Sequence, residues 1–175
     1  MFNMVEEDEI TKWFDENYEG FMVQFMKMER PFILDSEITI ANGQQVDKVV
    51  YGTGKKILAL VECKGTINLT EFLRGVSQAY QQNHQINLNL NDNISSDAKS
   101  FLVMPADMLE SNIDFNLFDL EGFTLVFVDI AHNTCQTYDA NAHDKDDLVQ
   151  WVNVNPKWFR DCSLPGLYFM LKLVA

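Results

Sequence analysis

Two short runs of β-branched and apolar residues, at positions 46–51 and 57–63, are the clearest hydrophobic pattern in the chain. Runs of this length and composition predict β-strands, and residues 52–55 between them carry the two glycines of a tight turn. The second run opens with consecutive apolar residues, which is typical of a central strand that is buried on both faces. We therefore predict a hairpin whose second strand lies in the middle of a sheet.

Weaker patterns predict the elements around this hairpin. Apolar residues recur at helical spacing in residues 6–30, with Gly20 as a bend or break, and in a second helix that Thr70 can cap. Further elements are three strands, a short helix and a packed apolar segment, at residues 37–40, 101–105, 123–130, 145–152 and 164–174. The length of 175 residues fits one domain, residues 1–175, which we predict to be α/β with a mixed central sheet flanked by helices.

The turn length decides which side chains of the hairpin share a face. A loop of two or four residues within this turn sets Asp47 opposite Leu60. Side chains two apart on a strand point the same way, so Leu60, Glu62 and Lys64 then share the face of Asp47, with Glu62 on its diagonal. A three-residue loop without a bulge would instead turn Asp47 to the other face.

Two carboxylates and a lysine on one face are suited to metal-assisted cleavage of a phosphodiester. Mg²⁺ prefers oxygen ligands and is commonly held by one or two carboxylates, here Asp47 and Glu62. Lys64 would stabilise developing charge or position the attacking water. The alternative is that these charged residues are solvated strand ends. They emerge, however, directly from a strand that the pattern predicts to be buried, which favours a site.

The helix that follows carries a second group of polar residues. Its apolar side is formed by Phe72, Leu73, Val76 and Tyr80. Arg74 and Gln78, four residues apart, lie on the other side and would come beside the strand end if the helix returns over the sheet. The alternative is that both simply face solvent.

Taken together, Asp47, Glu62-x-Lys64 and the helix containing Gln78 resemble the PD-(D/E)xK nuclease superfamily, over roughly residues 35–105 and a leading helix. The resemblance implies a restriction-endonuclease-like fold with an αβββαβ core. It implies that Asp47 and Glu62 bind the metal, that Lys64 is the catalytic lysine, and that Gln78 orients groups near the site.

The same resemblance bears on the first helix and on the cofactor. An acidic residue of that helix often joins the metal site in this superfamily, and Glu7 or Glu9 is the candidate here. The chain departs from the motif at Val46, which stands where the motif has proline. The implied activity is a Mg²⁺-dependent endodeoxyribonuclease of restriction, defence or repair type, with Mn²⁺ as a substitute metal and DNA as the substrate.

The net charge of −13, from 26 acidic and 13 basic residues, opposes binding to DNA as a whole. The segment that holds the motif is less acidic, because residues 44–85 contain only three acidic residues. Its basic residues are Lys48, Lys55, Lys56, Lys64 and Arg74. We therefore expect a locally positive field near the motif, and a homodimer or a partner domain or subunit that supplies further basic surface.

Two other classes of function remain open. The first is a non-catalytic protein-interaction or DNA-binding module on the same fold, and the second is an exonuclease or junction resolvase with the same site chemistry. The chain lacks an apolar run long enough to span a membrane, and its three cysteines are widely spaced and odd in number. We expect a cytoplasmic protein with reduced thiols and without a membrane partner.

Overall fold

The computed structural model describes residues 4–40, 43–88, 93–115 and 122–137. Within these residues the chain forms two α-helices and six strands. In chain order they are helix α1 (Glu7–Phe21), strands β1 (Ile33–Thr39), β2 (Gln45–Tyr51) and β3 (Ile57–Cys63), helix α2 (Leu69–Leu88), and strands β4 (Ile94–Pro105), β5 (Thr124–Asp129) and β6 (Thr134–Thr137).

The six strands form one mixed sheet whose spatial order follows the chain from β1 to β6. Strands β1, β2 and β3 form an antiparallel meander, as the sequence predicts. Strand β4 then pairs parallel with β3, β5 pairs parallel with β4, and β6 returns antiparallel to β5. The predicted α/β class, with a mixed sheet flanked by helices, is thus confirmed.

Helix α2 is the crossover between the parallel strands β3 and β4, and it covers one face of the sheet. Its apolar side packs on side chains of β4 and β5 in one buried cluster, which includes Phe72, Leu73, Val76, Leu102, Met104 and Phe127. The helix begins earlier than the sequence predicts. Asn68 caps it in place of Thr70, because the Asn68 Oδ1 atom accepts a hydrogen bond of 3.0 Å from the backbone amide of Glu71.

Helix α1 covers the opposite face. Its buried residues, among them Ile10 and Phe14, pack against β3 and β4 side chains such as Val61 and Val103. Gly20 does not break this helix, contrary to expectation, and the helix passes through it and continues as a π-helical turn at Met22–Met26. The apolar residues on either side of Gly20, such as Phe14 and Phe21, belong to the same cluster, and their packing outweighs the weak helix propensity of a single glycine.

Because β3 is a central strand, its side chains point alternately toward the two helices that cover the sheet. Leu60, Glu62 and Lys64 point toward α2, whereas Val61 and Cys63 point toward α1. All but the first residue of β3 are buried, so the predicted central strand is confirmed. Any charged side chain on it must therefore find its partners within the protein.

The remaining predictions have mixed outcomes. Strands β1 and β4 begin several residues before the predicted positions, and β6 was not predicted, because its four residues are mostly exposed and carry no buried apolar pattern. The helix predicted at residues 145–152 and the apolar segment at 164–174 lie outside the described residues. None of the described helices combines the length and apolar character needed to cross a membrane.

Candidate active site

The register of the β2–β3 hairpin differs from the predicted register, although the predicted shared face is retained. Leu60 pairs with Val49 and not with Asp47. The loop has five residues, since Tyr51 pairs with Ile57, and an irregularity next to Tyr51 then shifts the pairing by one more residue. Loop and bulge together move the register by two positions, which preserves the face of each side chain.

Extending this register sets Asp47 directly opposite Glu62, because Lys48 pairs with Val61. Side chains that lie directly opposite each other are closer than the predicted diagonal pair, with Cβ atoms about 5 Å apart. The Asp47 Oδ2 atom also accepts a hydrogen bond of 2.7 Å from the backbone amide of Cys63. Asp47 is thus fixed at the end of the ladder, beside the carboxylate of Glu62.

Lys64 lies just past the end of β3, and its ammonium group lies between the carboxylates of Glu62 and Glu7. Its backbone amide continues the ladder with a 2.9 Å hydrogen bond to the carbonyl oxygen of Val103. Its Nζ atom donates a 2.9 Å hydrogen bond to Glu62 Oε1 and lies 3.8 Å from Glu7 Oε2. Burial alone would lower the pKa of Lys64, but the charge of Glu62 and the hydrogen bond to it outweigh burial, and the pKa of Lys64 is raised.

Glu62 is only 1% exposed, and both of its oxygen atoms have partners. Lys64 binds Oε1, and Gln82 of α2 donates a 2.9 Å hydrogen bond to Oε2. Ser100 of β4 lies on the far side of Gln82, with its Oγ atom 3.5 Å from Gln82 Oε1, and donates a 2.9 Å hydrogen bond to the Ala79 carbonyl oxygen. Glu62 is therefore held by a buried chain of polar groups that spans the sheet and the helix.

Even with these partners, the charge on Glu62 is unfavourable. Burial, followed by the nearby charge of Asp47, raises the pKa of Glu62 from its ordinary value of 4.5 to about 7, against the opposing effects of Lys64 and Gln82. The site therefore holds more negative charge than the lysine compensates. A group with a strongly perturbed pKa and a specific charged neighbour is typical of functional sites.

Close packing of the backbone at Val5 against Thr66 brings the start of α1 next to Lys64. The backbone amide of Thr66 donates a 2.8 Å hydrogen bond to the carbonyl oxygen of Val5, and the Thr66 hydroxyl accepts one of 3.0 Å from the Val5 amide. A Cβ atom on Gly65 would lie 2.5 Å from the Val5 carbonyl oxygen, so only glycine permits this approach. As a result, Glu7 stands beside Lys64.

Of the two acidic candidates on the first helix, only Glu7 reaches the site. Burial raises the pKa of Glu7, the charge of Lys64 opposes this, and the charge of Asp47 adds to it. Glu9 serves a different purpose, because its Oε2 atom accepts a 2.9 Å hydrogen bond from the backbone amide of Glu6 as part of the helix N-terminal capping box.

The two helix residues singled out from the sequence do not contact the carboxylates directly. Arg74 is exposed and binds Glu71 at 3.1 Å. Gln78 accepts a hydrogen bond from Gln44 at its backbone carbonyl, and within the described part of the chain its buried Oε1 atom has no hydrogen-bond partner. The amide that contacts Glu62 belongs to Gln82, one helical turn later, and its sequence signal was its spacing of four residues from Gln78 on the same helix side.

Three of the five basic residues on which the expectation of a locally positive field rests lie away from the carboxylates. Lys48 points to the opposite face of the sheet, where it binds Asp15, and Lys55 and Lys56 are exposed at the far end of the hairpin, about 13 Å along the strand from Asp47. Within the described part of the chain, Lys64 is the basic residue that binds the carboxylates of Glu62 and Glu7. The alternation of side chains along β2 and the position of the turn separate charges that are neighbours in sequence.

The donor set fits a hard divalent cation in its chemistry. Asp47, Glu62 and Glu7 offer carboxylate oxygens on one side of the sheet, and the raised pKa of Glu62 shows that positive charge there would be favourable. Among the described residues, no three His, Cys, Asp or Glu side chains are arranged closely enough to form a metal-binding group. As they stand, the carboxylates are arranged around the ammonium group of Lys64.

Comparison with known proteins adds no relative. No protein-family model, no curated protein and no solved structure matches this chain.

Proposed function

We propose that this protein is a Mg²⁺-dependent endodeoxyribonuclease with a restriction-endonuclease-like fold, related to the PD-(D/E)xK nucleases. The observation that carries the proposal is the Asp47 carboxylate bound to the backbone amide of Cys63, next to the buried Glu62, with Lys64 Nζ within 2.9 Å of Glu62. Carboxylates and a lysine assembled at the end of a buried strand have a cost in stability, which a catalytic role would explain.

The order of elements supports the same proposal. A helix, an antiparallel three-stranded meander, a crossover helix and a parallel strand follow one another from α1 to β4. This is the αβββαβ order that the sequence resemblance implies. The three motif residues lie on the second and third strands of the meander or directly after them, as that resemblance also implies.

Each residue of the site would have a distinct task. Asp47 and Glu62 would hold Mg²⁺, and Glu7 is placed to join them from the start of α1. When bound, the metal would supply Lewis-acid stabilisation of charge on the scissile phosphate. Lys64 Nζ would donate hydrogen bonds to the phosphate oxygens, and Gln82 would hold Glu62 in its orientation from the helix.

The acidic surroundings of the site give the proposal a further requirement. With a net charge of −13 and no cluster of basic residues beside the carboxylates in the described structure, the chain itself offers little attraction for a polyanion. We propose that a second copy of the chain or a basic partner subunit contributes the surface that binds DNA.

The proposal is tested by incubating purified protein with supercoiled plasmid, linear duplex and four-way-junction DNA in Mg²⁺ or Mn²⁺. Wild type should cleave at least one of these substrates. Asp47→Asn and Lys64→Ala should lower the rate by at least about 100-fold, whereas Lys48→Met, a buried lysine on the other sheet face, should retain activity. Equal cleavage by all four proteins would refute the site, and absence of cleavage on every substrate would favour the non-catalytic binding module.

A further inference from the structure

The position of Lys64 points to a property that its proposed catalytic role does not require. Its Nζ atom lies between two carboxylates that come from different elements, 2.9 Å from Glu62 Oε1 and 3.8 Å from Glu7 Oε2, and its side chain is almost fully buried. The stem of the side chain lies along α2 at Gly75, where an added Cβ would come within 3.4 Å of Lys64 Cγ.

The Lys64 ammonium occupies a position between two carboxylates that a bound cation would also need. The second oxygen of Glu62 faces Gln82, so the oxygen that remains for a metal is the one that Lys64 already binds. A divalent ion coordinated there would lie close to the ammonium group, and two positive charges in a buried place repel each other strongly. Metal and ammonium therefore compete for the same carboxylates.

We propose that Lys64 is an internal counter-ion that occupies the place of the metal, and that a divalent cation binds only as the Lys64 ammonium moves away from Glu62. This inference rests on the proposed function in that the same carboxylates hold the metal. An anionic phosphate offers the released ammonium a new partner. Metal and phosphate should then bind with positive coupling, so that the affinity for metal is lower without phosphate than with it.

Two binding measurements test this without any use of activity. The affinity for Mn²⁺ is measured by titration calorimetry at about pH 8, where free carboxyl groups are ionised. Removal of the lysine charge in Lys64→Met or Lys64→Gln should tighten binding by at least about tenfold, because the competitor is lost. Lys64→Arg should remain within about threefold of wild type, because it keeps the charge.

Lys48→Met is the matched control, because it removes a charge from an equally buried lysine on the opposite face of the sheet, and it should leave Mn²⁺ affinity unchanged. Circular dichroism establishes that each variant is folded.

If a Lys64 variant is unfolded, amine labelling of the wild type tests whether Mn²⁺ displaces the Lys64 ammonium. Reaction of Lys64 with an amine-reactive ester, read by peptide mass spectrometry, should increase several-fold when Mn²⁺ is added, while that of Lys48 should not.

The outcomes separate this inference from the proposed function. Tighter Mn²⁺ binding by Lys64→Met supports the counter-ion even if no DNA is cleaved. Unchanged or weaker binding by folded Lys64→Met overturns it even if wild type proves to be a Mg²⁺-dependent nuclease, and so does a failure of every variant to bind Mn²⁺. Lys64 labelling that does not respond to Mn²⁺ also counts against it.

Discussion

Replacement of Glu62 by glutamine should make the metal-free protein more stable at neutral and alkaline pH. Burial and the charge of Asp47 raise the pKa of Glu62 from 4.5 to about 7, so the ionised form is disfavoured in the folded state. Glutamine is close in shape to the protonated acid and carries no charge. The variant should therefore avoid the free energy that the wild type spends on holding this carboxylate ionised.

The magnitude follows from the shift in pKa. A difference of roughly 2.5 pH units at about 1.4 kcal/mol per unit corresponds to about 3.5 kcal/mol, which is an upper bound because Lys64 and Glu62 titrate as a coupled pair. The amide must also rearrange its contacts with Gln82 and Lys64. We expect Glu62→Gln to raise the free energy of unfolding by about 1–3 kcal/mol at pH 8.

The effect of Glu62→Gln on the free energy of unfolding should depend on pH. The folded-state pKa is raised, so the folded protein holds a proton that the unfolded chain has lost, and the wild type loses stability as the pH rises from about 4.5 to about 7. The gain from Glu62→Gln should be absent below pH 4.5, grow across this interval and be constant above it.

Urea denaturation, followed by circular dichroism at several pH values without divalent metal, measures this difference. The control is Glu16→Gln, which changes an exposed carboxylate of α1 and should alter stability little at any pH. A Glu62→Gln protein that is less stable than wild type at pH 8, or a difference that does not vary with pH, would refute the reasoning that Glu62 is strained by its surroundings.

Two further substitutions test the supports of the site, and a third tests the stability of the control variant on the opposite sheet face. Gln82→Leu removes a donor from a buried carboxylate and should cost about 1–3 kcal/mol at pH 8 by urea denaturation, more than it costs at pH 4. Gly65→Ala should cost about 1–3 kcal/mol, because its Cβ would meet the Val5 carbonyl, and should also weaken Mn²⁺ binding in calorimetry by displacing the start of α1. Lys48→Met should cost about 1 kcal/mol by thermal denaturation, since its partner Asp15 is 42% exposed and can be solvated by water.

Strong periodicity made much of the fold predictable. The hairpin, the central strand β3 and the apolar side of α2 follow from residues that must be buried on one face or both. The short edge strand β6 is harder to predict, because exposed polar residues carry little pattern. The helix break predicted at Gly20 is absent, because helix propensity is a weak preference that the packing of neighbouring aromatic residues overrides.

The face shared by Asp47, Glu62 and Lys64 is predictable from the sequence, but the turn that produces it is not. Two deviations from the predicted turn, a five-residue loop and a bulge, cancel in their effect on the face, and sequence alone does not reveal a bulge. The roles of Gln82 and Ser100 could not be read from the chain, because they depend on how far α2 lies above the sheet. The positions of Lys55 and Lys56 at the turn, far from the carboxylates, by contrast follow from the predicted hairpin.

The central claim, that Asp47 and Glu62 form a metal site which Lys64 occupies in its absence, is tested most directly by diffraction from crystals soaked in Mn²⁺. Anomalous scattering should show one peak about 2 Å from oxygens of both carboxylates, with the Lys64 ammonium turned away from Glu62. A fully soaked crystal that shows no peak there, with Lys64 still bound to Glu62, would contradict it.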